Sequence, residues 1–275
     1  MRFGVYLPPF GELADPLVLG EMGALAEEVG FDGVFVWDHI ARPARDLAVA
    51  DVWVALAAVA LKTDRVLLGP LVTPISRRRP QKLARETVTL HRLSRGRLVL
   101  GVGLGSNSAG ELTRFGEIDD DAARAERLDE GLELLTQLWS GEEVNYAGHH
   151  FVASGVRFLP RPEPSIPIWV AARSAKPALM RRAARHDGIC PETTIDGLRE
   201  MLTRIEAERG TLDGYDVVVR GAPGDDPAPW AAAGATWWLV HVPEMANAVE
   251  AEAVIRLGPS TGTAEADRGG VTPTS

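Results

Sequence analysis

Residues 30–39 read Gly-Phe-Asp-Gly-Val-Phe-Val-Trp-Asp-His. Val34, Phe35 and Val36 are β-branched or aromatic and follow a Gly-Phe-Asp-Gly turn, so they predict a short strand buried on both faces. A strand with no polar alternation belongs in a parallel sheet covered by helices. Trp37, Asp38 and His39 then fall at its C-terminal end, the rim where parallel α/β proteins gather their loops and their chemistry. An imidazole titrates near neutrality, and beside a carboxylate it is a candidate for proton transfer. The plainer alternative is that Asp38 caps the next segment and His39 is a satisfied rim residue.

Outward from this stretch, strand and helix signals alternate. Strands are expected at 3–7, 33–37, 65–73, 97–103, 166–171, 188–190, 216–220 and 236–242. Asp15-Pro16 opens a helix with an N-cap and a proline at its first position, and Gly30 ends it. Further helices are expected at about 51–62, 80–93, 124–139, 176–185, 195–209 and 244–256. Residues 144–159 look like a hairpin turning at Gly148. Residues 223–235 hold three prolines and are too short for a full helix. Eight strands with helices between most of them predict an α/β fold, a (β/α)8 barrel over 1–257, with an insertion after the fourth strand at about 106–165. An open doubly wound sheet is the competing arrangement. The Gly, Ser, Thr and Pro content of 258–275 predicts a flexible tail.

The 275 residues are 45% hydrophobic, which suits a globular chain, and the formal net charge of −9 disfavours a nucleic-acid surface. Cys190 is the single cysteine, so an intrachain disulfide and a cysteine-based metal site are excluded. The longest apolar run, 52–61, is too short to span a bilayer, and no signal peptide is evident, so a cytoplasmic location is expected with no membrane or nucleic-acid partner.

Several short motifs sit at predicted strand ends. Gly101-Val102-Gly103-Leu104-Gly105-Ser106 reads equally as a ligand loop or a structural turn. It departs from the dinucleotide fingerprint by one position. Thr73 could present a hydroxyl to the barrel mouth, or simply end a strand before Pro74. Arg77-Arg78-Arg79 could attract anions, but a solvated basic loop is the commoner outcome. Ala171-Ala172-Arg173-Ser174 leads into a helix and suits a phosphate, unless Ser174 is only a cap. His149 and His150 are placed in a strand, where neighbours point to opposite faces and cannot share a metal. His91 and His186 read as packing or surface residues.

Taken in order, these pieces resemble the bacterial luciferase-like flavin-dependent oxidoreductases. The resemblance covers about 1–257 and is strongest at 30–39, 68–74 with the arginines that follow, 93–105, 167–173 and 181–188. It implies FMN or the deazaflavin F420 across the C-terminal mouth, with a non-prolyl cis peptide at about Leu71, Val72 and Thr73 supporting the ring. It places the phosphate near Ala172, Arg173 and Ser174, and Gly103, Gly105 and Ser106 at the cofactor's border, with Trp37 shaping the pocket. By analogy with deazaflavin-dependent sugar-phosphate and alcohol dehydrogenases, His39 would exchange the substrate proton, with Asp38 orienting its surroundings. The sugar-phosphate enzymes carry a glutamate where this chain has about Ser106, and a lysine where it reads Cys190-Pro191-Glu192. The resemblance therefore favours F420-dependent hydride transfer with a different small substrate. An FMN monooxygenase or reductase, served by a flavin reductase, is the alternative. A homodimer is implied. Two other classes compete: a barrel hydrolase with a metal on Asp38, His39 and Glu192, although paired ligand spacing is absent, and an idle binding protein that keeps the fold.

Overall fold

The apolar stretch forms β2 (Gly33–Val36), and all four of its residues are buried. In the computed structural model, which describes residues 1–42, 46–108 and 110–259, this strand lies between β1 (Arg2–Leu7) and β3 (Leu67–Pro70). All three run parallel, with Val5 beside Val34 and Val34 beside Leu68. The chain then continues through β4 (Thr73–Pro74), β5 (Leu100–Gly103), the hairpin β6 (Glu143–Ala147) and β7 (Val152–Arg157), β8 (Ile168–Ala172), β9 (Gly188–Pro191), β10 (Asp216–Gly221) and β11 (Trp237–His241). Apart from the hairpin, these strands form one sheet in the order β3-β2-β1-β11-β10-β9-β8-β5-β4.

β3 and β4 are two pieces of the third barrel strand, separated by the cis peptide Leu71-Val72. A parallel bridge between Leu68 of β3 and Leu98, just before β5, closes the sheet into a barrel. Gly69 permits this closure: a Cβ there would lie 1.9 Å from the Val99 carbonyl oxygen. The eight-stranded barrel read from the sequence is therefore the observed fold, and the open sheet is excluded.

The double burial of β2 follows from this closure. Val34 and Val36 belong to the large outer core shared with the helices, whereas Phe35 belongs to a smaller cluster with Trp169 and Trp237. Those rings meet at 5.2 and 5.8 Å from Phe35, and the two tryptophans are 5.5 Å apart. Tyr6, Leu71, Val99, Val218 and Leu239 complete the cluster. Aromatic side chains fill the barrel as a packed core.

The outer helices are α1 (Pro16–Glu28), α2 (Val52–Lys62), α3 (Pro80–Leu93), α4 (Asp121–Trp139), α5 (Pro177–Ala184), α6 (Ile195–Arg209), α7 (Ala228–Ala232) and α8 (Ala248–Arg256). Asp15 and Asp51 accept backbone N–H groups at the starts of α1 and α2. Two starts differ from the sequence expectation, and capping explains both. Asp120 accepts from the Ala123 N–H and starts α4 three residues early, and an Asn247–Glu250 capping box delays α8 to Ala248. α7 is a single short turn of helix, as the three prolines required. The predicted tail lies, from residue 260 onward, outside the described residues.

Arg97 fixes the entry to β5. Its side chain is buried, and its guanidinium donates to the carbonyl oxygens of Ala60, Thr63, Val66 and Ser94 and to the Thr63 hydroxyl at 2.7–3.1 Å. It thereby ties the end of α2 and the approach to β3 to the loop after α3. An apolar replacement leaves this group of oxygens buried without donors. Arg97→Met is expected to lose more than about 3 kcal/mol of stability, since each hydrogen bond to a charged group is worth roughly 1.5–3 kcal/mol. Urea denaturation monitored by circular dichroism measures the loss; an unchanged midpoint would refute it.

Candidate functional site

The C-terminal ends of the barrel strands open into a cavity of about 1000 Å³. Its lining includes Trp37, Asp38 and His39 after β2, Leu71 and Val72 at the cis peptide, and Gly103, Gly105 and Ser106 after β5. Ala172, Arg173 and Ser174 contribute from the end of β8. Every expected site residue except Thr73 thus borders one space. Thr73 is fully buried, and its hydroxyl donates to Asp38 Oδ2 at 2.8 Å. Its hydroxyl serves the wall behind the mouth, which corrects the expectation that it faces the cavity.

Asp38 and His39 are neighbours in sequence, but no hydrogen bond joins their side chains among the described residues. Asp38 turns inward and is buried. Arg78 reaches both its oxygens, at 2.7 and 2.6 Å. Arg77 donates to the Asp38 carbonyl oxygen at 3.0 Å and lies 3.4 Å from Oδ1. The basic run is therefore no solvated loop in its first two members: a buried carboxylate draws both guanidinium groups into the protein, and together they join the end of β2 to the segment after β4. Opposite charges in excellent geometry offset the cost of taking them out of water.

The partner of His39 is Glu111, whose Oε2 lies 2.6 Å from Nδ1. Glu111 Oε1 accepts the backbone N–H groups of Ile40 at 2.7 Å and Ala41 at 3.1 Å. Arg77 stands 3.9 Å from the same Oε2. Burial pushes the Glu111 carboxyl up, but the His39 hydrogen bond, the charge of that ring and the two backbone donors outweigh it and hold the carboxyl below the usual glutamate range. Glu111 is thus ionised at neutral pH and can only accept. His39 Nδ1 must therefore carry hydrogen, and in the neutral ring Nε2 is the acceptor. At about Ser106 the sequence departs from the glutamate of the sugar-phosphate enzymes; the structure brings a glutamate to His39 from five residues further along the same loop.

Other side chains at the mouth went unremarked in the sequence. Tyr6 donates its hydroxyl to the Leu71 carbonyl oxygen. His241 ends β11 with its ring 5.3 Å from Trp37 and 5.7 Å from Tyr6. Burial and then the Arg220 charge pull His241 below the ordinary histidine value, so it is neutral at pH 7. The Trp37 Nε1 and His241 Nε2 atoms are both buried without a hydrogen-bond partner. The alternating strand places each of these residues inward, but sequence alone shows no partner for any of them.

Around β8 the rim suits an anion. The N–H groups of Ser174, Ala175 and Lys176 have no hydrogen-bond partner among the described residues, and they precede the N-terminus of α5. Beside them, Arg173 pairs with Glu192 at 2.8 Å, and Arg220 meets the other Glu192 oxygen at 3.3 Å. Unsatisfied donors at the anion end and orphaned ring nitrogens within the mouth are features that a phosphate-bearing heterocycle would satisfy. Asp38, His39 and Glu192 do not assemble as metal ligands. Among the described residues, the one such group of three is Glu126, His149 and His150.

A barrel whose mouth carries this set of residues defines an α/β enzyme-type scaffold of the luciferase class. A family model described as luciferase-like monooxygenase matches residues 1–254, and the chain belongs to that family. An F420-dependent glucose-6-phosphate dehydrogenase of Microbacterium testaceum is 36% identical over 189 residues, which is 67% of this chain and 54% of that protein. One from Kineococcus radiotolerans is 35% identical, covering 78% of this chain and 66% of that protein. The chain spans little more than half the length of the first of these relatives. Among solved structures, a monooxygenase from Streptomyces bottropensis shares the fold with a TM-score of 0.75 at 23% identity, covering 94% of this chain and 97% of that one.

Glu111→Gln offers an amide where three donors converge. It is expected to lower stability at pH 7 by about 1–3 kcal/mol. Because the folded-state carboxyl is depressed, the wild-type advantage is present above the ordinary glutamate value of 4.5 and is lost as pH falls through the lower folded value. Urea midpoints of both proteins from pH 7 down to pH 3 should therefore converge at the acid end. A difference independent of pH would contradict the assignment of an ionised Glu111.

Proposed function

We propose that this chain is an F420-dependent oxidoreductase that interconverts a small alcohol and its carbonyl compound. The observation that carries the reading is the rim histidine, His39, held through Nδ1 by a buried ionised carboxylate and bordering a cavity of cofactor size. The naming of relatives as F420-dependent dehydrogenases supports the choice of cofactor.

In this reading Ser174, Arg173 and the free N–H groups before α5 hold the cofactor phosphate. Leu71 and Val72 support the ring, Gly103, Gly105 and Ser106 border it, and Trp37 walls the pocket. Ala172 lets the ligand approach the end of β8. The bound deazaflavin supplies hydride acceptance or donation. The protein supplies placement and the proton. With Nδ1 committed to Glu111, His39 takes the hydroxyl proton on Nε2 as the alcohol is oxidised, and returns it in the reducing direction. Glu111 stabilises the imidazolium that forms, as a buried anion beside a new positive charge. Asp38 acts at one remove: it anchors Arg77 and Arg78 and so fixes the backbone that carries His39.

The substrate is read as uncharged. Glu192 occupies the rim segment after β9 and pairs with both Arg173 and Arg220, one carboxylate set between two guanidinium groups. A second substrate phosphate would meet a carboxylate there, so glucose 6-phosphate is disfavoured even though relatives carry its name. Exposed Leu17, Val54 and Leu61 on α1 and α2 support a homodimer. No helix among the described residues is long and apolar enough to cross a membrane, and a cytoplasmic site of action belongs to the same reading.

His39→Ala is expected to lower turnover with F420 and a panel of small secondary alcohols and ketones by about 10²–10⁴-fold, while the dissociation constant for F420 changes less than threefold. Steady-state rates and cofactor fluorescence titration check the two halves. Normal turnover in the variant would remove His39 from the reaction. Turnover with FMN in place of F420 would move the reading to the flavin branch of the family, with a separate reductase as partner.

A further inference from the structure

The hairpin between α4 and β8 carries a feature that the cavity does not use. His149 and His150 were expected to point apart as neighbours on a strand. β6 ends at Ala147 and β7 begins at Val152, so the pair lies in the connecting bend, and its rings come to 4.5 Å with an interplanar angle of 45°. Both rings face the same helix. Glu126 of α4 brings a carboxylate oxygen to 3.7 Å from His150 Nε2, and one ligand-type atom from each of the three side chains lies within 4.8 Å of the others. None of the three lines the barrel mouth.

We propose that Glu126, His149 and His150 bind a divalent transition-metal ion of the zinc type. Two imidazoles and one carboxylate are ligands that such ions take, and three protein ligands leave one position for water. Around tetrahedral zinc, with bonds of about 2.0–2.2 Å, ligand atoms stand roughly 3.4 Å apart. The present spacing closes to that value by side-chain rotation, and Glu126 and His149 are exposed and free to make it. His150 gives the second sign. Its Nε2 is shielded from water and has no hydrogen-bond partner, an arrangement that a metal bond relieves.

The bend is held in position without the metal. Glu130, one turn further along α4, accepts the backbone N–H groups of His150 at 2.9 Å and Phe151 at 2.7 Å. These contacts pull Glu130 below the usual carboxylate range against the opposing effect of burial. The backbone of the two histidines is therefore fixed to the same helix that carries Glu126. A bound ion would add a second clasp between hairpin and helix, one that closes with the supply of metal.

The test uses the untagged full chain stripped with a chelator. Calorimetric titration with zinc chloride is expected to show one ion per chain with micromolar or tighter affinity, together with a higher melting temperature. His149→Ala and His150→Ala should each weaken binding by at least tenfold, and Glu126→Gln by a smaller factor. Cobalt(II) supplies a readout that needs no variant: the wild-type chain should give visible d–d bands of a nitrogen- and oxygen-ligated ion, and equimolar zinc should abolish them. No saturable uptake below about 100 μM, or affinity unchanged in both histidine variants, would overturn the site. F420 binding and turnover are read separately, so failure here leaves the barrel-mouth reading untouched, and failure there leaves this site standing.

Discussion

Everything at the mouth of this barrel depends on two buried carboxylates that share the work of positioning one histidine. Asp38 is at the end of β2 and draws Arg77 and Arg78 inward. Glu111 comes from the loop after β5 and holds the His39 ring together with the two backbone N–H groups that follow it. Arg77 lies between the two acids. Charge in the rim is thus closely matched, and removal of any member would leave another ion without its counter-charge in a place where water cannot replace it.

In the proposed reading, binding and proton transfer fall to separate parts of the rim. Backbone N–H groups without partners among the described residues lie after β8, whereas the histidine and its carboxylate stand at the end of β2 and in the loop after β5. The tryptophan and phenylalanine rings fill the barrel and pack in one cluster with Tyr6, Leu71, Val218 and Leu239, which line the cavity and form its floor. Such a floor suits a planar ligand, and a barrel that presents its chemistry on loops can change substrate without altering that floor. Glu192 is an instance: one acidic side chain bridges two arginines and lowers the positive charge that the rim presents.

Much of the fold was legible because burial imposes period. Val34-Phe35-Val36 has no polar position, and a closed parallel barrel is the arrangement that covers both of its sides. The order of motifs along the chain carried the resemblance and with it the cis peptide at Leu71-Val72. The site was less legible. Asp38 next to His39 suggested a dyad, but adjacent residues at a strand end point in different directions, and the acid that reaches the ring lies 72 positions away. Nothing local marks Glu111 as that partner. The three arginines looked solvated because sequence does not show that a buried acid would claim two of them. His149 and His150 differ from the expectation for a similar reason: the bend runs over 148–151 and does not stop at Gly148, so both lie off the strand and the alternation rule no longer applies.

The most direct test of the account is a parallel equilibrium titration of the chain with F420 and with FMN, each oxidised, followed by the cofactor's own fluorescence. The account predicts saturable binding of F420 at one site per chain, at least tenfold tighter than FMN and lost when Ser174 and Arg173 are both replaced by alanine. Preferential binding of FMN, or F420 binding indifferent to those two residues, would contradict it.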